Sequence, residues 1–151
     1  MSHERFNGLV LDLCATLQHP DADAVLSTGS ISMRDFDVLL SNFDGDERAI
    51  YLSFNFGVLM AGRTLRVFRL MLEANLSVYA QDQAQLGLDA DSGCAQLIVR
   101  IPMVDGVDGP WLSEMLDHYI EHGRYWKDTI MGANDDMFQS LCAGQFQWIR
   151  A

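Results

Sequence analysis

The chain has 151 residues, 49% of them apolar, which is enough to fill a core without disulfide or metal staples. Ten Lys and Arg stand against 21 Asp and Glu, and the formal charge of −11 repels nucleic-acid phosphates and anionic lipid headgroups, so neither nucleic acid nor membrane is an expected partner. Cys14, Cys94 and Cys142 are odd in number and far apart, residues 1–8 lack the apolar run of a leader, and nowhere do eighteen apolar residues follow one another; the expectation is a cytoplasmic single domain over 1–151.

Phe6, Leu9, Val10, Leu13, Cys14 and Leu17 recur at three- and four-residue intervals and predict a first helix that stops before Pro20. His19 to Ser30 reads as a turn-forming stretch. Beyond it Phe36, Val38 and Leu40 alternate with Asp35, Asp37 and Leu39, which predicts a strand. Asp44, Gly45 and Asp46 make a turn, and Ile50, Leu52, Phe54 and Phe56 alternate with Tyr51, Ser53, Asn55 and Gly57 in a second, antiparallel strand. Leu39, Phe43 and Tyr51 also give the second side of this hairpin apolar content, so something must cover it.

From Arg63 to Tyr79 the period is helical again. Leu65, Phe68, Leu72, Leu76 and Tyr79 form one face, Val67, Leu70, Met71, Ala74 and Val78 a second, and only a narrow polar strip through Arg66, Arg69 and Glu73 separates them. Burial on both sides is implied, one of them against a second subunit. Gln85–Asp89 and Gln96–Ile101 are strand-like runs joined by Ala90, Asp91, Ser92 and Gly93, a hairpin. Gly109 and Pro110 open a further helix with a buried stripe of Leu112, Met115, Leu116, Tyr119, Gly123, Trp126 and Ile130, ending at Gly132. Asn134, Asp135 and Asp136 cap a last short helix through Phe138, Leu141, Cys142, Gln145 and Ile149. The fold class that follows is α+β, an antiparallel sheet with helices packed on it, in the order α-β-β(-β)-α-β-β-α plus the short C-terminal helix.

No catalytic constellation is legible. GxSxG, GxGxxG and GxxxxGK[ST] are absent. His118 and His122 lie one helical turn apart beside Glu114 and Glu121, but the order is not HExxH and no third ligand is identified; a solvated pair is the reading. Asp89, Asp91 and Gly93 lack the distal acidic residue of a calcium loop. Cys14 sits on an apolar stripe, as a core cysteine does. The chain is therefore expected to be no enzyme and to need no cofactor and no metal.

Leu72-Glu73-Ala74-Asn75-Leu76, then Leu86-Gly87-Leu88-Asp89, Ser92-Gly93, Leu97, Arg100-Ile101-Pro102 and a closing helix with Trp126 follow one another in an order that resembles the Tir chaperone family of type III secretion. The likeness covers about Leu9 to Ile130, a chaperone-like core of 1–130, and leaves 131–151 as a C-terminal helical extension. The resemblance implies a protomer that forms a homodimer and binds the extended N-terminal segment of an effector protein, keeping it soluble and secretion-competent. On that basis Leu9, Leu13, Leu17, Val38, Leu40, Leu52 and Phe54 are the expected client-binding residues, and Val67, Leu70, Met71, Ala74 and Val78 the expected dimer interface. The alternative reading is a non-enzymatic regulatory or structural module of the same fold.

Overall fold

A computed structural model of the chain describes residues 2–59, 64–82 and 84–132. The C-terminal helix expected through Phe138 and Ile149 lies outside the described residues. In chain order the elements are α1 (Ser2–Thr16), α2 (Ala22–Thr28), β1 (Ser30–Met33), β2 (Phe36–Phe43), β3 (Asp46–Val58), α3 (Thr64–Asp82), β4 (Ala84–Leu88), β5 (Cys94–Pro102) and α4 (Gly109–Met131). The strands form one antiparallel sheet in the order β1-β2-β3-β5-β4, and the expected α+β class holds. By internal packing the described residues divide into two units, 2–54 with 100–122 and 55–99 with 123–132.

One element, α2, falls where the sequence reads only as turn, and β1 starts at the end of that stretch as the optional third strand of the expected order. The short α2 has Asp21 as N-cap, its carboxylate accepting from the Ala24 amide at 2.9 Å. It ends at Gly29, whose φ of 67° is left-handed and whose amide donates to the Val25 carbonyl at 2.8 Å. A Cβ at Gly29 would stand 3.0 Å from the Leu40 carbonyl oxygen, so close approach to β2 as well as φ favours glycine there. Strand β1 then pairs with β2 through a two-residue loop in which Arg34 takes φ 52°.

The first unit is built on alternation. Phe36, Val38 and Leu40 of β2 and Ile50, Leu52 and Phe54 of β3 are buried, with Leu40 opposite Leu52 and Val38 opposite Phe54. Phe36 and Phe54 meet edge to face, centroids 5.9 Å apart. Leu9, Val10, Leu13 and Cys14 of α1 and Leu112, Leu116 and Ile120 of α4 complete the core; burying such a side chain stabilises by roughly 1.5–3 kcal/mol. The start of α4 is tied to α1 at one point. The Gly109 amide donates to Asp12 Oδ2 at 2.6 Å, and a Cβ on Gly109 would lie 2.4 Å from the Asp12 carbonyl oxygen, a distance no side chain tolerates. Asp108 caps the helix by accepting from Trp111 N at 2.9 Å.

In the second unit α3 packs on β4. Its buried row is Val67, Leu70, Met71, Ala74 and Val78, and the β4–β5 hairpin contributes Ala84, Leu86, Ala95, Leu97 and Val99. The hairpin turn is closed by the Asp89 amide donating to the Cys94 carbonyl at 2.9 Å and the Gly93 amide to the Asp89 carbonyl at 2.8 Å. The Asp89 carboxylate accepts from the Ser92 hydroxyl and the Asp91 amide, which hold its pKa below the ordinary carboxylate range.

Candidate functional site

The residues expected to hold a client divide by burial. Leu9, Leu13, Val38, Leu40, Leu52 and Phe54 are buried in the first unit, and Leu17 at the end of α1 is half-buried. The first six fill the chain's own core because one side of each strand and one stripe of α1 point inward together. What the same strands turn outward is a different set. Leu39 is 46% exposed and Phe43 54% exposed, and Phe43 meets the half-buried Tyr51 edge to face at 4.7 Å. Leu39 stands between Ser30 of β1 and Ser53 of β3 in the register. Sequence alternation already pointed to Leu39, Phe43 and Tyr51, and the polar Asp37 and Ser41 in the row of Leu39 mark that row as the outward one, a contrast that the choice of Val38 and Leu40 passed over.

The sheet edge beside this surface is β1. The Leu40 amide donates to the Gly29 carbonyl at 2.6 Å, which fixes the phase of the β1–β2 ladder. By the antiparallel alternation the backbone groups of Ser30 and Ser32 then point away from β2. The Ser30 amide is taken by Thr28 Oγ1 at 3.2 Å, and the Ser32 hydroxyl reaches Asp37 at 2.6 Å. Among the described residues no hydrogen bond engages the Ser32 amide or carbonyl, so β1 presents an open donor–acceptor pair.

At the far end of the same strands the surface is charged. Arg100 forks onto Asp46, Nε to Oδ2 at 2.5 Å and Nη2 to Oδ1 at 3.0 Å, while the Tyr51 hydroxyl donates to Asp46 Oδ2 at 2.7 Å. The Arg100 and Tyr51 hydrogen bonds lower the Asp46 pKa, and the same Asp46 bond raises that of Tyr51. A cleft of about 940 Å³ opens here, lined by Arg5, Arg48 and Arg100 among acidic neighbours.

In the second unit α3 turns Leu65, Leu72, Leu76 and Tyr79 outward, between 57% and 84% exposed. The five residues expected at a dimer interface form the helix's buried row instead, because that row faces β4. The exchange is one of sides: periodicity finds both rows, and the structure turns the other one outward.

The His118 and His122 rings lie 4.2 Å apart on the exposed face of α4, and among the described residues no group of three or more His, Cys, Asp or Glu is placed to hold a metal ion. Burial pushes the Cys14 thiol pKa up, the direction opposite to nucleophile activation.

An α+β chain with an apolar outward sheet surface, an open edge and an apolar outward helix row has the features that bind protein chains. The model of the Tir chaperone protein (CesT) family matches residues 12–127, and the chain belongs to that family of type III secretion chaperones. Solved structures share the fold. That of the HopA1–SchA chaperone–effector complex superposes with a TM-score of 0.64 at 19% identity, over 85% of this chain and 97% of the other. The Yersinia pestis type III secretion chaperone SycH, solved with a stable fragment of YscM2, gives 0.55 at 18% identity over 78% and 95%. The ExsC–ExsE complex gives 0.56 at 18% identity over 87% and 97%. No curated protein matches the chain.

Proposed function

We propose that the chain is a cytoplasmic, non-enzymatic homodimer that holds the N-terminal segment of an effector protein in extended form. The observation that carries this reading is the open Ser32 backbone pair on β1 beside the outward apolar surface of Leu39, Phe43 and Tyr51. An added strand takes its affinity from main-chain hydrogen bonds, and its alternate side chains find apolar contacts on the sheet. The region is that of the expected client residues, α1 and the first strands. In this reading the buried Leu13, Val38, Leu40, Leu52 and Phe54 hold the surface in shape, while their outward neighbours touch the client. An extended client loses conformational entropy on capture, so a large surface is needed, and a dimer supplies two. Dimerisation is assigned to the outward row of α3, Leu65, Leu72, Leu76 and Tyr79, since the inner row is already covered.

The test is co-expression with effectors of the native cell. Leu39→Asp and Phe43→Asp are expected to lower client capture at least tenfold while leaving dimer mass and melting temperature near the wild-type values, because exposed substitutions cost little stability. Capture of a folded partner that does not need its N-terminal segment would support the regulatory-module alternative. Undiminished capture by both variants would remove the sheet surface from the site.

A further inference from the structure

The sheet has a second edge, β4, and one side chain of α3 occupies its middle. The Asp89 amide donates to the Cys94 carbonyl, so in the β4–β5 ladder the pairs Gln85–Ile98 and Gly87–Gln96 exchange hydrogen bonds. The backbone groups of Leu86, opposite Leu97, therefore point away from β5, toward the free edge. Both are taken by Asn75 of α3. Its Nδ2 donates to the Leu86 carbonyl at 3.0 Å, and the Leu86 amide donates to its Oδ1 at 2.6 Å.

A primary amide that gives and receives one hydrogen bond on the same residue reproduces what a neighbouring strand offers. Asp in this place accepts but does not donate, and an aliphatic side chain does neither. The strand being closed is Ala84-Gln85-Leu86-Gly87-Leu88, uncharged, with Leu88 exposed. Such an edge, left open, pairs with its own kind in another copy. At β1 the corresponding pair on Ser32 is not engaged by any described residue.

We infer that Asn75 is a plug that closes the β4 edge against strand pairing with a second copy of the chain, leaving β1 as the edge of the sheet open to strand addition. This assigns a role to the asparagine of the Leu72–Leu76 motif that neither helix propensity nor core packing requires. It also distinguishes the two edges at their middle: the Leu86 pair is engaged by a side chain of the chain itself, and the Ser32 pair is not engaged by any described residue.

Amide hydrogen exchange on the full-length protein tests the plug without any client, so its outcome is separate from that of the capture experiment. At micromolar concentration Asn75→Ala is expected to speed exchange of the Leu86 amide at least tenfold, while Gln85 and Gly87, bonded to β5, change less than about twofold. Unchanged Leu86 exchange, or equal acceleration of all three amides, overturns the inference. At high concentration light scattering should show Asn75→Ala growing beyond the wild-type mass, and Gln85→Lys added to it should restore that mass, because an edge lysine blocks strand pairing. A mass that stays at the wild-type value, or growth that the lysine leaves untouched, overturns it too. Should Asn75→Ala fail to fold, the wild-type protein decides: the side-chain amide of Asn75 is expected to exchange at least tenfold more slowly than that of exposed Asn55, and equal rates refute the plug.

Discussion

Strand β2 and helix α3 are both apolar on two sides, yet only β2 declares in its sequence which side goes in. On β2 the inward row is Phe36, Val38 and Leu40, and the outward row mixes Asp37 with Leu39 and Ser41, so polarity breaks the tie. On α3 the rows Leu65–Leu72–Leu76–Tyr79 and Val67–Leu70–Met71–Ala74–Val78 carry similar apolar content, and the intervening Arg66, Arg69 and Glu73 favour neither. The helix is settled by what it packs against: Val67, Leu70, Met71, Ala74 and Val78 are buried where α3 meets β4, and Leu65, Leu72, Leu76 and Tyr79 stay outside. A pattern of spacing locates faces; contrast between them assigns their direction.

The comparison is sharpest at its extremes of burial. Phe54→Ala removes a fully buried ring in edge-to-face contact with Phe36 and is expected to cost about 3–5 kcal/mol, whereas exposed Leu39→Ala should cost less than about 0.5 kcal/mol. Denaturant unfolding of the two variants checks this pair. Equal costs would mean that β2 and β3 do not separate into an inward and an outward side.

A smaller effect is expected on α3. Leu72→Asp and Leu76→Asp sit on the outward row, and each should weaken self-association by at least about 2 kcal/mol, roughly 30-fold in Kd, with the protomer still folded. Sedimentation at several concentrations reads the shift from dimer to monomer. Val67→Asp and Ala74→Asp, on the buried row, should unfold the second unit instead. If the outward variants remain dimers, the α3 row is not the interface.

Much of the fold was legible because it is local. The inward strand residues from Phe36 to Phe56, the β4–β5 hairpin and the α4 stripe through Leu112, Leu116 and Trp126 follow from periodicity and turn chemistry. Helix α2 was missed, though Asp21 and Gly29 are its N-cap and its left-handed C-cap, set eight positions apart around a run too short to show a helical period. The site was less legible. Asp46 meets Arg100 across 54 positions, and Asp12 meets Gly109 across 97, distances at which no local pattern couples the partners. Asn75 reads as a helix residue until Leu86 is placed beside it.

The smallest expected effect concerns the charged end of the strands, and it separates that end from the apolar surface around Leu39. Asp46 has its pKa lowered in the folded protein, first by the Arg100 hydrogen bond and then by that of Tyr51. A lowered folded pKa means that the native state binds fewer protons than the unfolded chain as the carboxyl titrates. The contribution of the ionised carboxylate is therefore fully present above the ordinary aspartate range, and it is lost as pH falls through that range toward the folded value. Arg100 keeps its charge throughout, since its own pKa is raised by the same contact. The side chains are partly exposed, so solvent and salt screen the pair and the effect is modest. Asp46→Asn should lower the melting temperature slightly at neutral pH and not at all once wild-type Asp46 is protonated, so the two melting curves converge on acidification. High salt should narrow the neutral-pH difference. A gap between the variants that persists unchanged into strong acid would show that Asp46 acts there through packing, as the buried residues of β2 and β3 do, and not through its charge.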